Sequence, residues 1–320
     1  MLTRRRLLTL SAAAWTAVPD LLHAQTWPAM PIRAIVPYSP GGASDIIGRV
    51  VSNQVSTQIK QSIVIENRGG ASGAIGCTAV ARSAPDGYTL LINSVSMTIL
   101  AVTNSHLPYD TQRDLIPVAG LGTMPNLLTV SPKKYKSIRD LVEAARNAGT
   151  AVTYGSAGPG TMAHLSAERF RLAAHFNAVQ VPYKGAGDAL IDVAAGRIDF
   201  FIIPYLSARS FLESGQLIAV AVASKKRTSV LPNVPTMAEA GFPNTEYPFW
   251  NMVFVPAHTP RQIIERLYTE YLRACRATQT KLAPFGVDPM QETPAQLAAI
   301  IRDQIKVNSD LVKRAGISVN

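Results

Sequence analysis

Only two cysteines occur in the 320 residues, Cys77 and Cys275. Two thiolates are too few for a four-ligand metal site, and neither stands at metal-ligand spacing from a histidine or a second cysteine. The five histidines form no H-E-x-x-H motif. We therefore predict no metal. In an exported protein the two thiols could pair, but two separately buried thiols are the favoured alternative.

Long apolar runs and high charge are also missing. Hydrophobic residues make up 47% of the chain and charged residues 16%, which is the composition of a globular protein long enough for two domains. After the first 24 residues, no apolar run approaches the about 20 residues that a membrane-spanning helix needs. The body of the chain is therefore not predicted to cross a membrane.

The N-terminal segment has a different composition. Residues 1–24 contain three early arginines, an apolar middle and a small-residue cleavage site ending at Ala24, which is the order of a secretory signal. Thr3–Leu8 also resembles a twin-arginine export signal. An uncleaved anchor is the alternative, but Pro19 and Asp20 interrupt the apolar stretch too early for a span.

The charge balance of the mature chain favours anions. Removal of residues 1–24 would change 31 basic and 21 acidic residues to 28 and 20, a net charge of +8. The basic clusters Lys133–Lys134 and Lys225–Arg227 are short, far apart and free of interleaved aromatic residues. We therefore expect small anionic solutes as ligands and no nucleic acid.

Short strand-like runs alternate with helical patterns from residue 31 onward, which predicts βαβ units and a mainly parallel sheet. Helices are predicted to follow Ser44, Gly73, Ser137, Thr161, Gly187 and Thr259. After an initial strand at 32–36, further strands are predicted at 62–66, 88–93, 127–130, 152–154, 178–181, 199–203 and 217–223.

Two glycine-rich turns each follow a strand and precede a helix. They lie within Ile35–Val51, where Ser44 is placed to cap the helix, and within Thr153–Phe170. The start of a helix presents free N–H groups and a positive dipole end, and glycine lets a ligand approach that backbone. Each turn is therefore either an anion-binding loop or only a tight connection.

Nucleotide and catalytic interpretations of the second turn fit poorly. Gly158–Ala163 matches G-x-G-x-x-A, but the following strand carries Gln180 where a dinucleotide site needs a carboxylate. Neither turn has the lysine of a P-loop, so we predict no cofactor. Ser156 is one residue short of a G-x-S-x-G elbow. We expect His164 to satisfy a loop carbonyl rather than to act as a general base.

Seven motifs together resemble the Bug family, the extracytoplasmic receptors of tripartite tricarboxylate transporters. In chain order they are "PIRAIVPYSPGGASDIIGRV", "IENRGGASGAIG", "APDGYTLL", "VTYGSAGPGTMAHL", "VPYKGAG", "GRIDF" and "FVPAHTP". Each motif is weak evidence alone, but all seven occur in the order and spacing of the family. The resemblance extends from residue 31 to the C-terminus. The resemblance implies an α/β, type II-like two-domain periplasmic binding protein with its ligand cleft between the domains.

The resemblance also implies domain boundaries and a binding site. It places residues 25–122 and 247–320 in domain 1 and residues 123–246 in domain 2, with the binding loops at 39–45 and 155–161. Asp45 could contact the ligand or could only pair with Arg49. At position 203 many relatives carry a carboxylate and this chain has isoleucine, which argues against an amino-acid ligand. The predicted ligand-binding residues are Tyr38, Ser39, Gly41, Gly42, Ser44, Asp45, Ser156, Gly158, Gly160, Thr161, His164 and Tyr205.

The implied function is a periplasmic receptor that is not an enzyme. It would capture a small carboxylate, with a di- or tricarboxylate favoured and an aromatic or unsaturated one compatible with Tyr38 and Tyr205. We expect a monomer that delivers the ligand to membrane transporter subunits or reports it to a sensor protein. One alternative is an enzyme acting on a carboxylic acid on the same scaffold. A cytoplasmic effector-binding module of a regulator is another, which the export signal argues against.

Overall fold

Strands and helices alternate along the chain in a computed structural model that describes residues 27–147, 151–156, 158, 160–183 and 185–317. The predicted export segment and its cleavage site lie outside these residues. Among the described helices, none is both long and apolar enough to cross a membrane.

The described residues form ten strands and nine α-helices. The strands are β1 Ile32–Val36, β2 Ile63–Asn67, β3 Thr89–Ser94, β4 Leu115–Met124, β5 Asn126–Val130, β6 Val152–Ser156, β7 Ala178–Pro182, β8 Phe201–Pro204, β9 Ile218–Val222 and β10 Phe249–Pro256. The helices are α1 Ala43–Ile59, α2 Ala74–Ala81, α3 Ser96–Thr103, α4 Ile138–Asn147, α5 Met162–Ala174, α6 Ala186–Ala194, α7 Tyr205–Glu213, α8 Arg261–Leu282 and α9 Pro294–Ala315.

The first sheet has the strand order β2-β1-β3-β10-β4. β1 pairs in parallel with β2 and β3, while β10 is antiparallel to both β3 and β4. Its strands are rich in buried aliphatic residues, and helices α8 and α9 pack against β4. Burial on both faces explains why β1 and β3 are almost continuously apolar.

The second sheet is built around β5, which pairs antiparallel with β8 and β9. β6 and β7 form a parallel pair beside it, and the Gly155 N–H donates to the Phe200 carbonyl, 3.0 Å away, next to β8. The sheet has its own core, in which Phe170 packs edge-on against Phe176 and Phe200. Two sheets give the two-domain α/β fold that the resemblance implies, and Leu127 and Val222 of the second sheet also join the core of the first.

The predicted strands are confirmed within two residues, but the expectation of mainly parallel pairing is wrong. Four of the seven strand pairs are antiparallel. Only Pro125 separates β4 of the first sheet from β5 of the second, so the chain passes directly from one sheet to the other. The returning strand β10 then inserts antiparallel between β3 and β4.

The chain passes from the first sheet to the second after Met124 and returns at Phe249. Buried side chains joined by hydrogen bonds lie at this crossing. Tyr247 Oη donates to Asn308 Oδ1 (2.6 Å), and Asn308 Nδ2 donates to Thr98 Oγ1 (2.9 Å). The domain boundaries at 122/123 and 246/247 stay a prediction beside these strand positions.

Several helix starts differ from the prediction. Gly42, not Ser44, is the N-cap of α1, and it supplies no side-chain cap. Pro260, not Thr259, caps α8, and α6 begins at Ala186 rather than after Gly187. The helix predicted to follow Thr161 is confirmed, and the Thr161 side chain caps it by accepting a bond from the His164 N–H.

Both thiols are buried and unpaired, as predicted. Burial raises the pKa of the Cys77 thiol to about 11, against smaller effects from its hydrogen bonds. Burial likewise raises the pKa of the Cys275 thiol to about 12. Neither thiol is therefore ionised near neutral pH, which is typical of structural rather than reactive cysteines.

Candidate functional site

A cavity of about 430 Å³ lies between the two sheets, where both glycine turns meet. One wall comes from the start of α1 and the end of β3, and the other from the starts of α5 and α6 and from β8. The cavity therefore opens at the carboxyl ends of parallel strands β1 and β6, where α/β folds commonly bind ligands.

The first turn leaves the start of α1 without a side-chain cap. Gly42 has φ −74° and ψ 166°, the extended geometry of an N-cap residue, and a Cβ there would meet only the Ser39 carbonyl at 3.7 Å. The first N–H groups of α1 lie beside the cavity, since Gly42, Ser44 and Asp45 all line it. Such N–H groups and the helix dipole favour an anion.

Asp45 is held by its own turn, by α1 and by the end of β2. Its carboxylate accepts from the Gly41 N–H (2.9 Å), from Arg49 Nε (3.0 Å) and from Asn67 Nδ2 (2.9 Å). Burial alone would raise the pKa of Asp45, but these three hydrogen bonds outweigh it and the pKa lies below its ordinary value. The predicted pair with Arg49 is confirmed, and the carboxylate orients the glycine turn.

The second turn is stabilised by its own hydroxyl groups. Thr161 Oγ1 donates to the Gly158 carbonyl (2.8 Å), and buried Ser156 Oγ accepts from the Gly158 N–H (3.1 Å) and from Gln180 Nε2 (2.6 Å). Gly160 has φ +69°, a conformation that favours glycine. A Cβ at Gly160 would lie 3.1 Å from Thr103 Oγ1 of α3, so the two domains are in contact beside the cavity.

His164 is buried behind this turn and does not line the cavity. Its Nδ1 accepts a hydrogen bond from the Gly160 N–H at 3.0 Å. Burial, partly offset by the charge of Glu168, lowers the pKa of His164 below its ordinary value. His164 therefore accepts a hydrogen bond from a loop N–H, so the expectation that it bonds to a loop carbonyl is wrong.

A left-handed turn that sequence reasoning missed completes the polar wall. Gly70, Ala71, Ser72 and Gly73 have successive φ values of 122°, 46°, 55° and 98°, and Ser72 lines the cavity. Left-handed backbone at alanine and serine costs conformational energy, which the surrounding fold must offset. The spacing of the glycines in "RGGASG" is the sequence feature that indicates this turn.

The rest of the lining consists of hydroxyl groups and apolar side chains from both domains. Tyr38 lines the cavity and its Oη donates to Asn93 Oδ1 at 2.9 Å, while burial raises its pKa. Among the described lining residues there is no lysine, arginine or histidine. The hydroxyl-bearing residues, apart from Tyr38, are Ser44, Ser72, Ser94, Ser96, Thr161 and Ser207; the apolar ones are Ala43, Leu100, Met162, Ala163, Ala186, Phe201, Ile203, Pro204 and Phe249.

Half of the sequence-predicted site residues line this cavity. They are Tyr38, Gly42, Ser44, Asp45, Gly160 and Thr161. Gly41, Ser156, Gly158 and His164 lie behind the wall within the two turns, and Ser39 stands in the first turn outside the described lining. Tyr205 is also absent from the described lining, because its buried ring lies against the backbone at Gly286.

A larger hollow of about 590 Å³ lies elsewhere, between the 104–113 loop and Ile305 of α9. Neither glycine turn contributes to its described lining. The Arg113 guanidinium on its wall is already paired with Asp114. The 430 Å³ cavity is the candidate site, because helix starts from both domains converge on it.

The described residues contain no cluster of three potential metal ligands. Ser156 and His164 are each bonded into the glycine turn, and the described hydrogen bonds include none between them. A nucleophile and base that act together need such a bond. The arrangement is suited to holding a ligand.

Comparison with known proteins places the chain in a family. The model described as "Tripartite tricarboxylate transporter family receptor", TctC, matches residues 47–317. Protein BugT of Bordetella pertussis is 36% identical, over 95% of this chain and 94% of its own length. Rpa4515 of R. palustris, solved with adipate, superposes with a TM-score of 0.84 at 32% identity, covering 91% of this chain and 99% of its own. MatC of Rhodopseudomonas palustris, solved with bound malate, superposes with a TM-score of 0.78 at 28% identity, covering 89% of this chain and 100% of its own.

Proposed function

Because the chain belongs to the tripartite tricarboxylate transporter receptor family, we propose that it is a solute receptor that captures a small carboxylate in the 430 Å³ cavity. Two of its structural relatives were solved with the dicarboxylates adipate and malate. A ligand of that size fits a cavity of this volume.

One observation carries the proposal: helix starts from both domains surround a cavity whose described lining contains no cationic side chain. The N-cap residues of α1 and α6 are Gly42 and Gly185, which supply no side-chain cap, and the N-cap residue of α5 is Thr161. Their N–H groups and dipoles supply positive potential without the flexible charge of lysine or arginine. This potential favours a carboxylate, because the charge of Asp45, the charged side chain in the described lining, is paired with Arg49.

The two turns belong to different domains, so one ligand that binds both turns would connect the two domains. A diacid that places a carboxylate at each turn would stabilise the closed arrangement, in which Gly160 contacts Thr103. Apolar lining residues from both domains, Phe201, Ile203 and Phe249, then cover the carbon chain or ring between the carboxylates. The carboxylate of Asp45, which also lines the cavity, is already bonded to Gly41, Arg49 and Asn67, so an ammonium group would find no free acidic partner there, which disfavours amino acids.

Family membership supports a role outside the cytoplasm, and the N-terminal sequence supports export. The receptor would deliver its ligand to the membrane subunits of a tripartite transporter. Its two hydrogen-bonded turns act as binding elements in this proposal and carry out no chemical step.

Thermal shift and calorimetry test the proposal directly. Protein purified from cells is mixed with adipate, malate, benzoate, aspartate and the uncharged control adipamide. Carboxylates without an ammonium group are expected to raise the Tm, since a ligand at 100 times its Kd adds about 2.7 kcal/mol. Equal stabilisation by adipamide, or none by any carboxylate, would contradict the proposal.

A further inference from the structure

Asn67 lies at the end of β2, beside the first glycine turn, residues 37–42. It is the cross-strand neighbour of Val36, the last residue of β1, and the Arg68 N–H continues this pairing by donating to the Val36 carbonyl (2.8 Å). The turn therefore begins next to Asn67. Asn67 is not part of the described lining of the cavity, so it is placed to act on a ligand only through other residues.

Three hydrogen bonds use both ends of the Asn67 amide. Its Oδ1 accepts from Arg49 Nη2 (2.8 Å), and its Nδ2 donates to the Tyr38 carbonyl (3.1 Å) and to Asp45 Oδ1 (2.9 Å). These partners determine which end of the amide is the oxygen, because a guanidinium can only donate, whereas a backbone carbonyl or an ionised carboxylate can only accept. The amide turned around would lose all three bonds.

Asn67 and Asp45 together hold both ends of the first glycine turn. Asn67 bonds to the Tyr38 carbonyl where the turn begins, and Asp45 Oδ2 accepts from the Gly41 N–H (2.9 Å) where α1 is about to begin. The bond from Asn67 to Asp45 connects these two contacts. Arg49 completes a ring of hydrogen bonds, because its Nε donates to Asp45 Oδ1 (3.0 Å) while its Nη2 donates to Asn67.

This ring orients the backbone that faces the cavity. The Gly41 N–H is used by Asp45, and the next residues, Gly42 to Ser44, line the cavity at the start of α1. Asn67 contributes no charge, and the charge of Asp45 is paired with Arg49. The ring therefore holds the turn without placing an uncompensated negative charge beside a bound anion.

We propose that Asn67 is a positioning residue for the carboxylate site. It fixes the first glycine turn against the end of β2, so that the start of α1 faces the cavity before a ligand enters. A turn that is already held in its binding geometry loses less conformational entropy on binding, and the ligand therefore binds more tightly. This inference rests on the proposed carboxylate-binding function.

Calorimetry on Asn67→Leu tests the inference, because leucine removes all three hydrogen bonds with little change of size and no change of charge. The probe is whichever of adipate, malate and benzoate binds the unaltered protein most tightly. Binding is expected to weaken about tenfold. Ile65→Ala is the matched control, since Ile65 lies on the same face of β2 but outside the ring. It is expected to lower the free energy of unfolding and to leave Kd unchanged. An unchanged Kd in Asn67→Leu, or equal weakening in both variants, would overturn the inference.

An exchange of the two side chains tests whether Asn67 acts through Asp45. Asn67→Asp places a second carboxylate beside Asp45 and is expected to bind more weakly than Asn67→Leu. Asp45→Asn alone is expected to weaken binding, because one end of its amide cannot accept from Arg49 and Asn67. Added to Asn67→Asp, the same Asp45→Asn change is expected to recover part of the affinity, since one amide again faces one carboxylate. No recovery in the double variant would overturn the inference.

Hydrogen exchange of the Gly41 amide, followed by nuclear magnetic resonance without any ligand, reports on the turn itself. The Gly41 signal is the glycine signal missing from Gly41→Asn. Exchange is expected to be about tenfold faster or more in Asn67→Leu than in the unaltered protein and in Ile65→Ala, because the turn opens more often. Unchanged exchange would overturn the inference while leaving carboxylate binding intact. If no carboxylate binds the unaltered protein, the proposed function fails and the inference fails with it.

Discussion

His164 Nδ1 accepts a hydrogen bond from the backbone N–H of Gly160, at 3.0 Å, in the turn that opens α5. A ring nitrogen can accept this bond only while it carries no proton. The conformation of the second glycine turn is therefore tied to a neutral histidine.

The first prediction is a loss of stability and affinity in acid. The pKa of His164 is lowered from its ordinary value of 6.5, chiefly by burial. Its stabilising contribution is complete above about pH 6.5, where neither the folded nor the unfolded state binds the proton, and is lost as the pH falls through the lowered folded pKa. Chemical denaturation and carboxylate Kd, measured from pH 4.5 to 8, check this.

His164→Asn is the matched control for that prediction, because the oxygen of the new amide can accept the Gly160 bond at every pH. We expect this variant to lose the histidine-dependent slope and to keep binding, and His164→Leu to bind weakly throughout. The same slope in the unaltered protein and both variants would show that His164 does not govern the turn.

A second prediction concerns the uncapped start of α1. Gly42→Asp places a carboxylate where an N-cap side chain bonds the first N–H groups, and the extended geometry of Gly42 allows it. The variant is expected to be as stable as the unaltered protein or more stable by about a few tenths of a kcal/mol. It is expected to bind carboxylates at least about a hundredfold more weakly, since its own carboxylate occupies the N–H groups and repels the ligand.

Gly42→Ala separates capping from bulk, since its Cβ would meet only the Ser39 carbonyl at 3.7 Å. Calorimetry is expected to show a much smaller loss of affinity for Gly42→Ala than for Gly42→Asp. Unchanged affinity in Gly42→Asp would mean that the start of α1 does not receive the ligand.

A third prediction tests the apolar lining through Ile203. Ile203→Asp places a carboxylate in the lining of the cavity and is expected to weaken dicarboxylate binding about tenfold or more by charge repulsion. Binding of aspartate relative to malate is expected to rise. Ile203→Asn introduces an uncharged side chain of the same shape as aspartate and controls for the polar substitution. Equal effects of Ile203→Asp and Ile203→Asn on Kd would contradict the electrostatic argument.

The fourth prediction concerns stability at the crossing between the sheets. Asn308→Leu leaves the fully buried Tyr247 hydroxyl without its acceptor and is expected to reduce the free energy of unfolding by about 2 kcal/mol. Tyr247→Phe removes the donor itself and is expected to cost only about 1 kcal/mol. Denaturant unfolding of both variants checks which one loses more free energy of unfolding. Gln304→Ala is the control, because Gln304 bonds to Asn308 at the partly buried edge of these side chains. A larger loss in Tyr247→Phe than in Asn308→Leu would refute it.

Local patterns predicted the parts of the structure that local forces determine. Thr161 caps α5 because its own hydroxyl reaches the next turn, and Asp45 pairs with Arg49 because they are neighbours on one helix face. The start of α5 after Thr161 and the pair of Asp45 with Arg49 were both predicted from the sequence. The presence of a glycine turn before α1 and before α5 was also visible in the sequence.

Contacts between distant segments account for what the sequence did not predict. Ser44 lies inside α1, which begins at Ala43, and its Oγ bonds to Asn251, 207 positions away. β4 contains Pro117, Gly120 and Gly122, which favour a turn in isolation. A Cβ at Gly122 would lie only 2.5 Å from Val287 Cγ1, so close packing against a distant segment requires glycine in that strand.

A crystal structure of the protein with a bound carboxylate is the most direct test of the two-turn site. The account predicts ligand oxygens at about 3 Å from backbone N–H groups at the first turns of both α1 and α5. A ligand bound outside the 430 Å³ cavity, or held by side chains of lysine or arginine without these N–H groups, would contradict it.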